Sequence, residues 1–159
     1  MLVYCILIRF NGFWMRIFTI IPLLTVPVII YNVVAWGGAT FSTAANVRAQ
    51  MDAELLSISM ASGANWSITP GHALIMLSLL LLFFELLKST GFGRAAIMNH
   101  AFSMVLFIIC LVEFLMFNAF ATSVFFLITL MCLLDVMAGF MVTIASARRD
   151  FGVTESFGD

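Results

Sequence analysis

Three carboxylic acids, Glu85, Glu113 and Asp135, stand inside long apolar stretches of this chain. An acid at the centre of a membrane-inserted helix costs about 2.5–3.5 kcal/mol, so each must face protein or trapped water rather than lipid. Two kinds of chemistry are open to such a group. It can take up and release protons or cations, or it can fix helix packing through hydrogen bonds. Asp135 meets that choice most sharply, because about 20 Å of helix separates it from both Phe120 and Arg148 and no basic residue shares its depth on its own helix. Glu85 has Lys88 at i+3, with Arg94 and His100 at a similar depth on the following segment, so these three are its candidate ion-pair partners. Counted from the expected cytoplasmic ends of their helices, Glu85, Asp135 and Glu113 lie roughly 9, 20 and 26 Å deep. That staggering predicts a series rather than a cluster, and it disfavours a two-acid membrane protease.

The elements that must position these acids are membrane helices. Of 159 residues, 64% are hydrophobic and only 9% charged, which is too apolar for a soluble domain. The expected fold is an all-α integral membrane protein with four transmembrane helices in an antiparallel bundle. Spans are expected at about 17–36, 71–89, 96–117 and 121–147, within a membrane domain of residues 16–149. Residues 1–15 read as an interfacial helix or as an artefact of the assigned translation start, and residues 150–159 as a polar cytoplasmic tail.

Within the last span, Thr129, Cys132, Asp135, Gly139, Thr143 and Ser146 recur at three or four residues and line up the small and polar side chains on one face. Gly139 and Thr143 form a small-xxx-small pair at which another helix can approach closely, and Cys132 extends that packing face. Asn99, Ser103, Cys110 and Glu113 make a comparable stripe on the third span, and Ser78, Glu85 and Ser89 on the second. In the first span, Pro22 and Pro27 predict kinks.

The outer loop, 37–69, carries Ala44, Val47, Met51, Leu55 and Ile58 at helical spacing, which predicts an amphipathic helix on the membrane surface. Thr69, Pro70 and Gly71 read as an N-cap followed by proline at the first helical position. Arg9, Arg16, Lys88, Arg94, Arg148 and Arg149 fall on one side of this topology and Arg48 on the other. Both termini are therefore expected to be cytoplasmic. The sparse charge and the usage of small residues suggest the bacterial inner membrane as the setting.

Several function classes are disfavoured. The net charge of −1 includes no charged block, so no nucleic-acid partner is expected. His72 and His100 open different spans at opposite membrane faces, which does not suit a bis-histidine haem, and no Cys or His pair has metal-ligand spacing. No cofactor, metal or catalytic residue is expected, and the chain does not read as an enzyme. The expected partners are the lipid bilayer and either further copies of the chain or a larger membrane protein complex. Two functions remain: a structural or accessory subunit of a membrane assembly, or a proton- or cation-conducting unit built on Asp135, with Glu113 and Glu85 as further acids.

Overall fold

Prolines shape the first apolar segment differently from a kinked continuous helix. In the computed structural model, which describes residues 20–37, 44–89 and 94–154, Ile20 is helical and residues 21–24 leave the helix. A new helix, α1, then runs over Thr25–Trp36. Pro22 lies within this break, where it has no N–H to donate to a helical ladder. Pro27 falls in the first turn of α1, where its N–H would have no intrahelical acceptor, so it does not interrupt the helix. At 12 residues α1 is about 18 Å long, short of the roughly 30 Å hydrocarbon layer.

Three further helices are long and apolar enough to cross a membrane: α3 (Pro70–Ser89), α4 (Arg94–Met116) and α5 (Ser123–Thr154). Their lengths and composition make the chain an integral membrane protein. The described structure is mostly helical, and α5 is its centre, packing against both α4 and α3. The face of α5 carrying Thr129, Cys132, Asp135 and Gly139 is buried, whereas Phe126, Leu130, Leu134 and Phe140 face outward. Cys110 of α4 and Cys132 of α5 meet across that contact.

The loop before α3 contains two kinds of structure. Helix α2 covers only Ala44–Asp52. The expected continuation through Leu55 and Ile58 is instead strand β1, Leu56–Ser59, which pairs antiparallel with β2, Asn65–Ile68. Leu56 opposite Ile68 and Ile58 opposite Trp66 occupy one face of this hairpin, while Ser57 with Ser67 and Ser59 with Asn65 occupy the other. Gly63, at φ +82°, makes the left-handed step at the turn, a conformation that costs other residues strain. Pro70 opens α3, and Thr69 Oγ1 accepts the His72 backbone N–H at 3.2 Å, so the helix start has the cap its sequence predicts.

Helix α2 covers the hairpin end of the buried core. Its Val47 and Met51 are buried, and Arg48 Nη2 donates to the Ala121 carbonyl at 2.7 Å, next to a 3₁₀ turn over Asn118–Phe120. Beneath it, Tyr31 packs between Phe120 and Phe125, with ring centroids 5.6 and 4.7 Å away. The Tyr31 hydroxyl lies 2.5 Å from Thr122 Oγ1 and 3.2 Å from the Ala119 carbonyl oxygen, and Thr122 Oγ1 also accepts the Phe125 N–H. All three bonds are satisfied if Thr122 donates to Tyr31 and Tyr31 donates to Ala119. Tyr31→Phe is expected to strand the Thr122 hydroxyl and the Ala119 carbonyl in a buried site. The expected loss is about 1–3 kcal/mol of unfolding free energy, measured by denaturant titration in detergent against the parent chain.

Candidate functional site

The helix break at Pro22 frees the Leu23 N–H and the Ile21 carbonyl from intrahelical pairing. Helix α3 supplies their partners through two side chains one turn apart. Glu85 Oε2 accepts the Leu23 N–H at 2.8 Å, and Lys88 Nζ donates to the Ile21 carbonyl at 3.0 Å. Lys88 Nζ and Glu85 Oε1 are themselves 2.9 Å apart. The amide of Asn99, on α4, donates to the same Oε1, so one carboxylate joins α1, α3 and α4. Leu24 caps α1 without a side-chain hydrogen bond of its own, and Glu85 places negative charge at that helix N-terminus. Glu85 is wholly buried and its oxygens are committed to donors, which leaves it poorly placed to act as an acid or base.

Glu113 occupies a different place. Its Oε2 accepts from Asn32 Nδ2 at 3.2 Å, and Asn32 Oδ1 accepts from Trp36 Nε1 at 3.1 Å. This chain of bonds ties α4 to α1 near the hairpin end. His72, at the start of α3, is engaged with Thr69 and does not meet Glu113 in any described contact.

Asp135 contrasts with both acids. It is 0% exposed, and neither carboxyl oxygen has a hydrogen-bond partner. The groups acting on it electrostatically are Ser103, Glu85, His100 and Lys88. Ser103 Oγ, Asn99 Oδ1 and both ring nitrogens of His100 are likewise buried and unpartnered. All these unpartnered atoms belong to α4 and α5. The imidazole of His100 rests on Gly139, so the small residue of α5 admits a ring from α4 rather than a bare helix backbone. Beside that ring an apolar groove of about 260 Å³ opens between α4 and α5, lined by Ile97, His100, Ala101, Met104, Val136, Gly139 and Phe140.

The expected staggering of the acids therefore differs from what is seen. Glu85 lies within electrostatic reach of Asp135, and Glu113 stands apart. The reason is that α5 runs to Thr154, well past its membrane-crossing stretch, so its C-terminal end is a poor reference plane. From the opposite ends, Glu85 is 15 residues from Pro70 and Asp135 is 12 from Ser123, or about 22 and 18 Å. Lys88 is close to Glu85, and His100 is close to Asp135 instead. The side chains of Arg94 and Thr143 lie outside the described residues, as do residues 1–19 and 155–159. The Leu23 backbone donor was not visible to side-chain patterning, although Pro22 signals where freed backbone groups must arise.

Among the described residues no three His, Cys, Asp or Glu side chains converge on a metal-sized site. Searches against protein-family models, curated proteins and solved structures returned no match.

Proposed function

We propose that this chain is a structural or accessory subunit of a membrane assembly, seated in the bacterial inner membrane as a four-span antiparallel bundle with both termini cytoplasmic. The first span in this reading is the stretch at about 17–36, which includes α1. The distribution of basic residues supports the orientation, because six of the seven fall on one side of this topology. The observation that carries the functional reading is how the interior polar groups are used. Glu85, Lys88 and Asn99 fasten the broken segment to α3 and α4, while Asn32 with Glu113 and Tyr31 with Thr122 fasten it to the far ends of α4 and α5. Such fastening favours a rigid body that presents fixed outer faces. The face of α4 is the broadest of these, with only 17% of its spanning stretch buried within the chain.

Extraction of the full chain from its native membrane into mild detergent, followed by native mass measurement, is expected to give a defined multiple of 17.6 kDa or a fixed-ratio complex. A monodisperse single copy would contradict the proposal. Conduction of protons or cations through Asp135 is the second reading, favoured by its unpartnered carboxyl group. In that case Asp135→Asn abolishes flux in proteoliposomes and leaves assembly intact.

A further inference from the structure

The β1–β2 hairpin has two unlike faces, and among the described residues both are open. Leu56, Ile58, Trp66 and Ile68 stand on one. Ser57, Ser59, Asn65 and Ser67 stand on the other, where Ser59 Oγ donates to Asn65 Oδ1 at 2.9 Å. Leu56 is 55% and Trp66 46% exposed, as open as Phe126 and Leu130 on the outward side of α5. The two strands pack chiefly on each other. A two-stranded hairpin is marginal in water unless its apolar face is covered, so a further surface must cover this one.

Position, charge and side-chain type identify that surface as the lipid bilayer. Strand β2 ends at Ile68 and the membrane-crossing stretch of α3 begins at Pro70, so the apolar face lies within a few residues of the bilayer boundary. From Leu55 to Gly71 the chain carries no Asp, Glu, Lys or Arg, so nothing there recognises a charged partner or an anionic headgroup. Trp66 adds an indole, whose apolar body and N–H suit the boundary between lipid and water. The outer edges of both strands pair with no further strand, and their backbone groups need water. The hairpin therefore rests at headgroup depth and does not sink into the hydrocarbon. We propose that it is a membrane-surface anchor, inserting Leu56, Ile58, Trp66 and Ile68 among the headgroups and upper acyl chains on the Pro70 side of the bilayer and turning its serine face to water. Because no charge takes part, attachment needs no anionic lipid. This role is separate from both assembly and conduction.

Fluorescence of Trp66 tests the anchor in the full chain carrying Trp14→Phe and Trp36→Phe, reconstituted in phosphatidylcholine vesicles at a high ratio of lipid to protein. Lipids brominated near the top of their acyl chains are expected to quench Trp66, equally with and without added anionic lipid. Iodide supplied to both sides of the membrane is expected to leave most of the emission. Quenching by iodide without quenching by bromolipid places the face in water, and quenching by neither places it against protein, such as a second copy paired along a strand edge; either result overturns the proposal. A second measurement does not depend on the tryptophan background. Nitroxide labels on Leu56→Cys, Ser57→Cys, Ile58→Cys and Ser59→Cys, each in a chain lacking Cys5, Cys110 and Cys132, are expected to alternate. Labels at Leu56 and Ile58 meet oxygen more readily, and those at Ser57 and Ser59 meet a water-soluble nickel chelate. Equal accessibility at all four positions contradicts the anchor.

Discussion

Glu85→Ala detaches the start of α1 from the rest of the chain and lowers unfolding free energy by about 3–5 kcal/mol, the cost of breaking a buried pair and leaving one partner behind. The size follows from what the carboxylate holds. Without it the Leu23 N–H has no acceptor, the Asn99 amide loses its partner, and Lys88 loses its ion pair. Glu85→Gln separates the two parts of this effect. Glutamine can still accept the Leu23 N–H but no longer balances Lys88, so its cost is expected to fall between the parent and Glu85→Ala. Denaturant titration in detergent, with α1 monitored by Trp36 fluorescence in a background carrying Trp14→Phe and Trp66→Phe, reads both variants, and a Glu85→Ala chain as stable as the parent would show that the break is held by packing alone.

Gly139→Val is the second large effect. A Cβ at this position would lie 2.6 Å from both Cγ and Cε1 of the His100 ring, too close for any real contact, so the ring or the helix must move. The groove beside the ring gives it somewhere to go, at the cost of its seat on α5. The expected destabilisation is about 1–3 kcal/mol, as for other overpacked contacts. His100→Ala removes the obstacle and is expected to offset most of it. A double-mutant cycle on unfolding free energies therefore gives a coupling of about 0.5–3 kcal/mol between the two sites, and strict additivity would contradict the contact.

The spanning helices were legible because they obey one rule over many residues. On α5 the spacing of Thr129, Cys132, Asp135 and Gly139 marks the buried face and Phe126, Leu130 and Phe140 the outward one, whereas the same spacing puts Val136 outward and it is buried. The Thr69–Pro70 start of α3 was legible for a local reason, since the hydroxyl and the missing N–H both act within one turn. The hairpin was hidden because Ala44, Val47, Met51, Leu55 and Ile58 fit a helical period, although Leu56 and Ile58 also alternate with serines at a strand period. Ser62–Gly63–Ala64 reads equally well as a helix end or a hairpin turn, and strand pairing decides it. The join at Glu85 was half legible. Lys88 at i+3 is a local signal, whereas the Leu23 N–H, 62 residues away, is a backbone donor that carries no residue identity. The proximity of Glu85 to Asp135 depended on how far α5 extends beyond its neighbours, which hydropathy alone does not mark.

Everything proposed for the buried acids requires α3 to cross the bilayer between the hairpin and Ser89. Single cysteines at Ser62, in the hairpin turn, and at Ser89, at the far end of α3, can be labelled in sealed membrane vesicles in a background lacking Cys5, Cys110 and Cys132. A membrane-impermeant maleimide added outside is expected to modify one of the two in right-side-out vesicles and the other in inverted ones. Modification of both from the same side, in either vesicle orientation, would contradict the membrane-spanning account.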